Sequence, residues 1–105
     1  MERSEKIQEA IREAAARFIE RESNKTALIT VTRVELADRG RSATIYITVM
    51  PEDGEDSALN FLKRKRPELR EAIKASLNIR SIPFLDVAID NGAKALHTIE
   101  ALLRE

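Results

Sequence analysis

The chain has 105 residues, enough for one domain, spanning residues 1–105, with a single core that needs no staples. Its 18 basic and 18 acidic residues cancel, so any role with nucleic acid has to rest on where the charges lie. The absence of cysteine excludes disulfides and thiolate metal sites.

No run approaches the ~18 apolar residues of a membrane span. The opening stretch MERSEKIQEA alternates charges and lacks the apolar core of a signal peptide. The cytoplasm is therefore the expected compartment, with no membrane partner.

Residues 4–22 predict a helix. Ile7, Ile11, Ala14, Ala15, Phe18 and Ile19 recur at three- and four-residue spacing and share one face. Ser4 is a candidate N-cap, and Ser23-Asn24 end the helix. Residues 27–36 read as a strand rich in β-branched residues. Its alternation slips, because Ile29 and Val31 share a phase that Val34 and Leu36 do not. A β-bulge near Thr32-Arg33 would account for the slip. Asp38-Arg39-Gly40-Arg41 is a turn, with Gly40 able to take positive φ. Residues 42–50 form the clearest strand, with Ala43, Ile45, Ile47 and Val49 on one side. The two strands make an antiparallel hairpin.

The acidic stretch from Pro51 to Asp56 reads as a loop, capped onto the next helix by Asp56 or Ser57. That helix runs from Ser57 to about Lys65, with Ala58, Phe61 and Leu62 inward. Pro67 cannot donate to a helix ladder and pushes Arg66 out of the helical region, so a kink falls at Arg66-Pro67. A new helix starts there, with Leu69, Ala72, Ile73 and Leu77 apolar. Residues 84–89 form the last strand, in which Leu85, Val87 and Ile89 alternate with Asp86 and Ala88. Residues 93–103 read as a closing helix. Helices on one face of a small sheet, an α+β fold, is the layer arrangement this order implies.

Catalysis finds little footing. The one histidine, His97, lies between Leu96 and Thr98 and reads as a surface side chain. Gly40, Gly54 and Gly92 are too scattered for a phosphate-binding loop or a dinucleotide fingerprint. No serine sits in a nucleophile elbow. No catalytic residue, cofactor or metal ligand is expected.

The kink region is different. Lys63, Arg64, Lys65, Arg66, Arg70, Lys74 and Arg80 stand against only Glu68 and Glu71 between Phe61 and Arg80. Arg66, Arg70 and Lys74 recur at four-residue spacing, so Arg70 and Lys74 at least share a helical stripe. Clustered lysine and arginine is the footprint of phosphate binding. The competing reading is a solvated helix end that keeps the domain soluble. Pro67 lacks an N–H and Glu68 repels anions, so side chains around the kink, rather than the helix end itself, would hold the phosphate.

In order and spacing, four segments resemble the bacterial ribosome-binding factor A family. They are Ile29–Val34, Ala43–Val49, Leu77–Leu85 and Ile99–Leu103. The resemblance spans almost the whole chain. It implies a single KH-like domain of the type II order, helix-strand-strand-helix-kink-helix-strand plus a short C-terminal helix. It also implies a non-enzymatic assembly factor that binds the immature small ribosomal subunit and its 16S RNA, and supports late maturation and processing. A monomer is the expected state. KH domains clamp single strands with a Gly-x-x-Gly loop, which is absent here; the family has Ala-x-Gly at its kink, and this chain has Lys65-Arg66-Pro67. Pro67 is expected to make the break by another route, with added positive charge. Arg39-Gly40 stand where the family tends to have Asp-Leu.

The RNA-contact candidates are the seven basic residues around the kink, with Arg33, Arg39 and Arg41 on the hairpin as further ones. Two other classes compete. A protein–protein interaction module of similar layout would bind without salt dependence and carry an exposed apolar patch. An enzyme would need a pocket with perturbed ionisable groups.

Overall fold

Alternation of buried and open residues along Ser42–Met50 places Ala43, Ile45, Ile47 and Val49 in the core, and this strand becomes the centre of the sheet. The computed structural model describes residues 2–104. Its elements are α1 (Glu2–Glu22), β1 (Leu28–Ala37), a 3-10 turn (Asp38–Gly40), β2 (Ser42–Met50), a second 3-10 turn (Glu52–Gly54), α2 (Glu55–Arg64), α3 (Arg66–Ser76), β3 (Phe84–Ile89) and α4 (Asn91–Leu103). The strand order is β1-β2-β3. β1 pairs antiparallel with β2, and β3 pairs parallel with β2. A parallel partner requires a crossover, and α2 with α3 supplies it.

The predicted bulge is present. Val31 faces Ile47 and Arg33 faces Tyr46, so Thr32 is the extra residue. Without it Val34 would point away from the core; with it both Val31 and Val34 are buried. Helices α1, α2 and α3 cover one face. Their contribution centres on Ile11, Phe18, Leu62, Leu69 and Ile73, against Ile45, Ile47, Leu85 and Val87. Each such side chain is worth roughly 1.5–3 kcal/mol of apolar transfer.

Four local expectations need correction. Helix α1 begins at Glu2, so Ser4 lies inside it rather than capping it. Helix α2 begins at Glu55 behind Gly54, so Asp56 and Ser57 are first-turn residues; the acidic Glu55 and Asp56 meet the helix dipole there instead. The helix break is at Lys65 (φ −90°, ψ 8°), and Arg66 is already the first residue of α3. Pro67 falls in the first turn, where backbone N–H groups have no helical partner, so its missing donor costs nothing. Helix α4 begins at Asn91, capped by Asp90, whose Oδ1 accepts from the Ala93 N–H at 3.1 Å. Its Leu96, Ile99, Leu102 and Leu103 are exposed, so α4 stands off the core.

Candidate nucleic-acid interface

One end of the sheet gathers acidic side chains. β2 finishes at Met50, and the acidic turn with Glu52, Asp53, Glu55 and Asp56 follows directly. Lys94 is drawn to that end, with Nζ 2.9 Å from Glu55 and 3.7 Å from Glu52. Its hydrogen bond to Glu55 raises the lysine pKa above its ordinary value, outweighing desolvation. The opposite end holds the β1–β2 turn and the start of β3; the α2–α3 break lies between the two ends, with Arg66 reaching Asp86 on β3 and Arg64 lining a cleft shared with Glu22, Asp53 and Gly54. Phe84 N–H donates to Arg41 O at 2.8 Å, fastening the turn to β3.

Lys65 is shared by both helices. Its N–H donates to Phe61 O at 3.0 Å, closing α2, and its carbonyl accepts from Leu69 N–H at 2.9 Å, opening α3. Lys63, Arg64, Lys74 and Arg80 are exposed and make no ion pair among the described residues. Lys65 pairs loosely with Glu68 at 3.5 Å. Arg70 is exposed, yet its Nη1 donates to Ile82 O at 3.0 Å and Pro83 O at 3.4 Å. That bond ties α3 to the lead into β3, so Arg70 has a structural task beside its charge.

Arg66 reaches around the β3 edge. Phe84 and Asp86 alternate with buried Leu85 and Val87, so they point away from the helices. Arg66 still lies 3.4 Å from Asp86 Oδ1 and 5.1 Å from the Phe84 ring centroid. Asp86 Oδ1 also accepts from Val87 N–H at 2.9 Å, which occupies a donor on the edge strand.

The hairpin candidates divide. Arg41 and Arg39 lie in the turn beside β3. Arg41 pairs with Asp38 at 2.9 Å. Arg39 holds φ 56°, ψ 36°, a left-handed conformation that a side chain disfavours. Arg33 is elsewhere. It sits on the bulge, 3.8 Å over the Tyr46 ring, bonded to Glu35 and 3.2 Å from Asp90. Desolvation opposes its charge, but Glu35 and Asp90 together keep its pKa above the ordinary value. Committed to two carboxylates, it does not join the basic stretch around the α2–α3 break.

Two residues matter that sequence reasoning passed over. Asp90 is 5% exposed and bonds Thr32 Oγ1 at 2.5 Å, Arg33 and the α4 cap at once. The Thr32 hydrogen bond, then the Ala93 N–H, then Arg33 hold its carboxyl below the usual carboxylate range. Its signal was an acid before Asn91-Gly92, a cap pattern. Phe84 is the other; its signal was an aromatic on the outward phase of a strand.

Arg39→Gly is expected to stabilise the fold. Relief of the left-handed conformation is worth roughly 1–2 kcal/mol, offset by glycine's extra unfolded entropy of about 0.5–1 kcal/mol. A net gain of about 0.5–1 kcal/mol in urea denaturation is the expected result, at the loss of one cation in the β1–β2 turn.

This α+β arrangement, with a helix–break–helix between its second and third strands, is a KH-like domain. Residues 3–103 match the family model described as Ribosome-binding factor A, and the chain belongs to that family. The ribosome-binding factor A of Geobacter sulfurreducens is 34% identical over 98% of this chain and 90% of its own length. That of Geotalea uraniireducens is 31% identical over 98% and 87%. The crystal structure of ribosome-binding factor A from Thermus thermophilus superposes with a TM-score of 0.73 at 24% identity, covering 82% of this chain and 94% of the other. A Thermus thermophilus homology model fitted into the cryo-EM map of a complex of that factor with the 30S subunit gives a TM-score of 0.64 at 26% identity, covering 75% and 86%.

Proposed function

We propose that this chain binds the immature small ribosomal subunit through the basic stretch around the α2–α3 break, contacts the 16S RNA there, and serves late maturation and processing without catalysing a reaction itself. The observation that carries the reading is the run of exposed basic side chains Lys63, Arg64, Lys74 and Arg80 along α2, α3 and the lead into β3, with no acidic partner among the described residues. Side chains without carboxylate partners give up no ion pair when they meet phosphate. Membership of the family, and a relative fitted into a map of a 30S complex, support the choice of the small subunit.

A second reading, the protein-interaction module, draws on the exposed Leu96, Ile99, Leu102 and Leu103 of α4. Salt separates the two. Co-sedimentation with purified small subunits, large subunits and unrelated RNA across a salt series is expected to give selective small-subunit binding that weakens steeply with salt. Binding to the small subunit that ignores salt would move the interaction module ahead. Equal binding to every RNA would remove the assembly role.

A further inference from the structure

The chain is poor in aromatics, with three phenylalanines, one tyrosine and no tryptophan. Phe18 is buried, Phe61 is half-buried, and Tyr46 lies under the Arg33 guanidinium. Phe84 is the exception, 59% exposed at the first position of β3. Burying a phenylalanine is worth roughly 1.5–3 kcal/mol, so an aromatic left in water at one particular spot calls for a partner.

Its surroundings identify the kind of partner. Arg66 approaches the ring at 5.1 Å, and the hairpin turn carrying Arg39 and Arg41 is bonded to its backbone. Ser42 is its register partner on β2, and Asp86 follows two residues on along the same face. An exposed aromatic beside one guanidinium, on a strand start bonded to a turn that carries two more arginines, with a hydroxyl and a carboxylate nearby, fits an unpaired nucleotide. The ring takes the base, the cations take the phosphates, and the short polar groups meet the base edge or the ribose 2′-hydroxyl. A purely apolar protein contact would not place its anchor among arginines. The Arg66–Asp86 contact is long at 3.4 Å, and Arg66 Nε is buried without an acceptor, so this guanidinium is weakly committed and can turn to a phosphate.

We propose that Phe84 is a stacking platform for one unpaired RNA base at the β3 edge, flanked by Arg66, Arg39 and Arg41 as phosphate contacts. The proposal rests on the RNA-binding reading above and adds the single-stranded character of the RNA and the residue that senses it.

Because the chain has no tryptophan, Phe84→Trp gives a fluorophore at this position alone. Titration with a short single-stranded oligoribonucleotide is expected to quench it, whereas polyphosphate and duplex RNA bind without quenching. Phe84→Leu, which keeps apolar bulk but no ring, is expected to bind the oligonucleotide about 10-fold more weakly with an unchanged salt slope. RNA binding without quenching, or Phe84→Leu binding as tightly as the parent, would overturn the platform while leaving the RNA-binding reading standing. The second of those results would point to a protein contact at Phe84. If neither the parent nor the tryptophan variant binds any RNA or small subunit, both readings fall together.

Discussion

Replacing Lys63, Arg64, Lys65 and Arg66 together by glutamine is expected to weaken small-subunit binding about a hundredfold at physiological salt. The same variant should flatten the plot of log affinity against log salt. Each phosphate contact contributes roughly 0.7–0.9 to that slope through released counterions. Lys63 and Arg64 make no competing ion pair among the described residues and count in full. Lys65 and Arg66 share themselves with Glu68 and Asp86, so they count for less. The slope should therefore fall by about 2 to 3, not by the full four contacts. Stability should change little from Lys63 and Arg64, because exposed charges contribute mostly within about ±0.5 kcal/mol each, with the half-buried Lys65 and Arg66 adding somewhat more. Sedimentation at several salt concentrations with thermal melting as a control reads both. Lost affinity at an unchanged slope would mean that these residues act other than by meeting phosphate.

Asp90→Ala is expected to destabilise the fold by about 2–3 kcal/mol, read as a lower urea midpoint. Loss of the α4 cap contributes about 1 kcal/mol. The remainder is the penalty of leaving the part-buried Thr32 hydroxyl without its shortest acceptor. Asp90→Asn keeps a capping oxygen and should cost about half as much. The two variants also separate a pH effect. The Asp90 pKa is lowered by folding, so its stabilisation is complete above the unfolded value of about 3.9. It is lost as pH falls through the lower folded value. The parent should lose stability more steeply than Asp90→Asn below about pH 4. Parallel acid profiles would show that the Asp90 charge adds nothing.

The strands were legible in the sequence because the sheet has one covered face. Alternation along β2 and the phase slip at Thr32 both report which side is buried, and a single face leaves no other reading. The helix break was legible as an event and misplaced by a residue. Proline signals that a helix ladder cannot continue through it, but in a first turn no ladder bond is required, so α3 restarts before Pro67. The apolar stripe of α4 was legible too, but three- and four-residue spacing is the same whether a helix is covered or stands off.

For the candidate site, local charge density singled out the basic stretch from Lys63 to Arg80. It could not separate free cations from committed ones. Arg33 is bound to Asp90, 57 residues away, and Arg70 to the carbonyls of Ile82 and Pro83. Such pairings exist only once the crossover is folded, and no local window carries them. Asp90 was overlooked for the same reason, since its strongest bond is to Thr32, 58 residues distant.

The most direct test of the account is lysine acetylation of the intact protein, free and bound to small subunits, read residue by residue. The six lysines lie both within the basic stretch and outside it. Lys63, Lys65 and Lys74 belong to the basic stretch on α2 and α3, and Lys6 lies near the start of α1. Small-subunit binding is expected to shield Lys63, Lys65 and Lys74 while Lys6 stays as reactive as in the free protein. Shielding of Lys6 with Lys63 and Lys65 still reactive would contradict it.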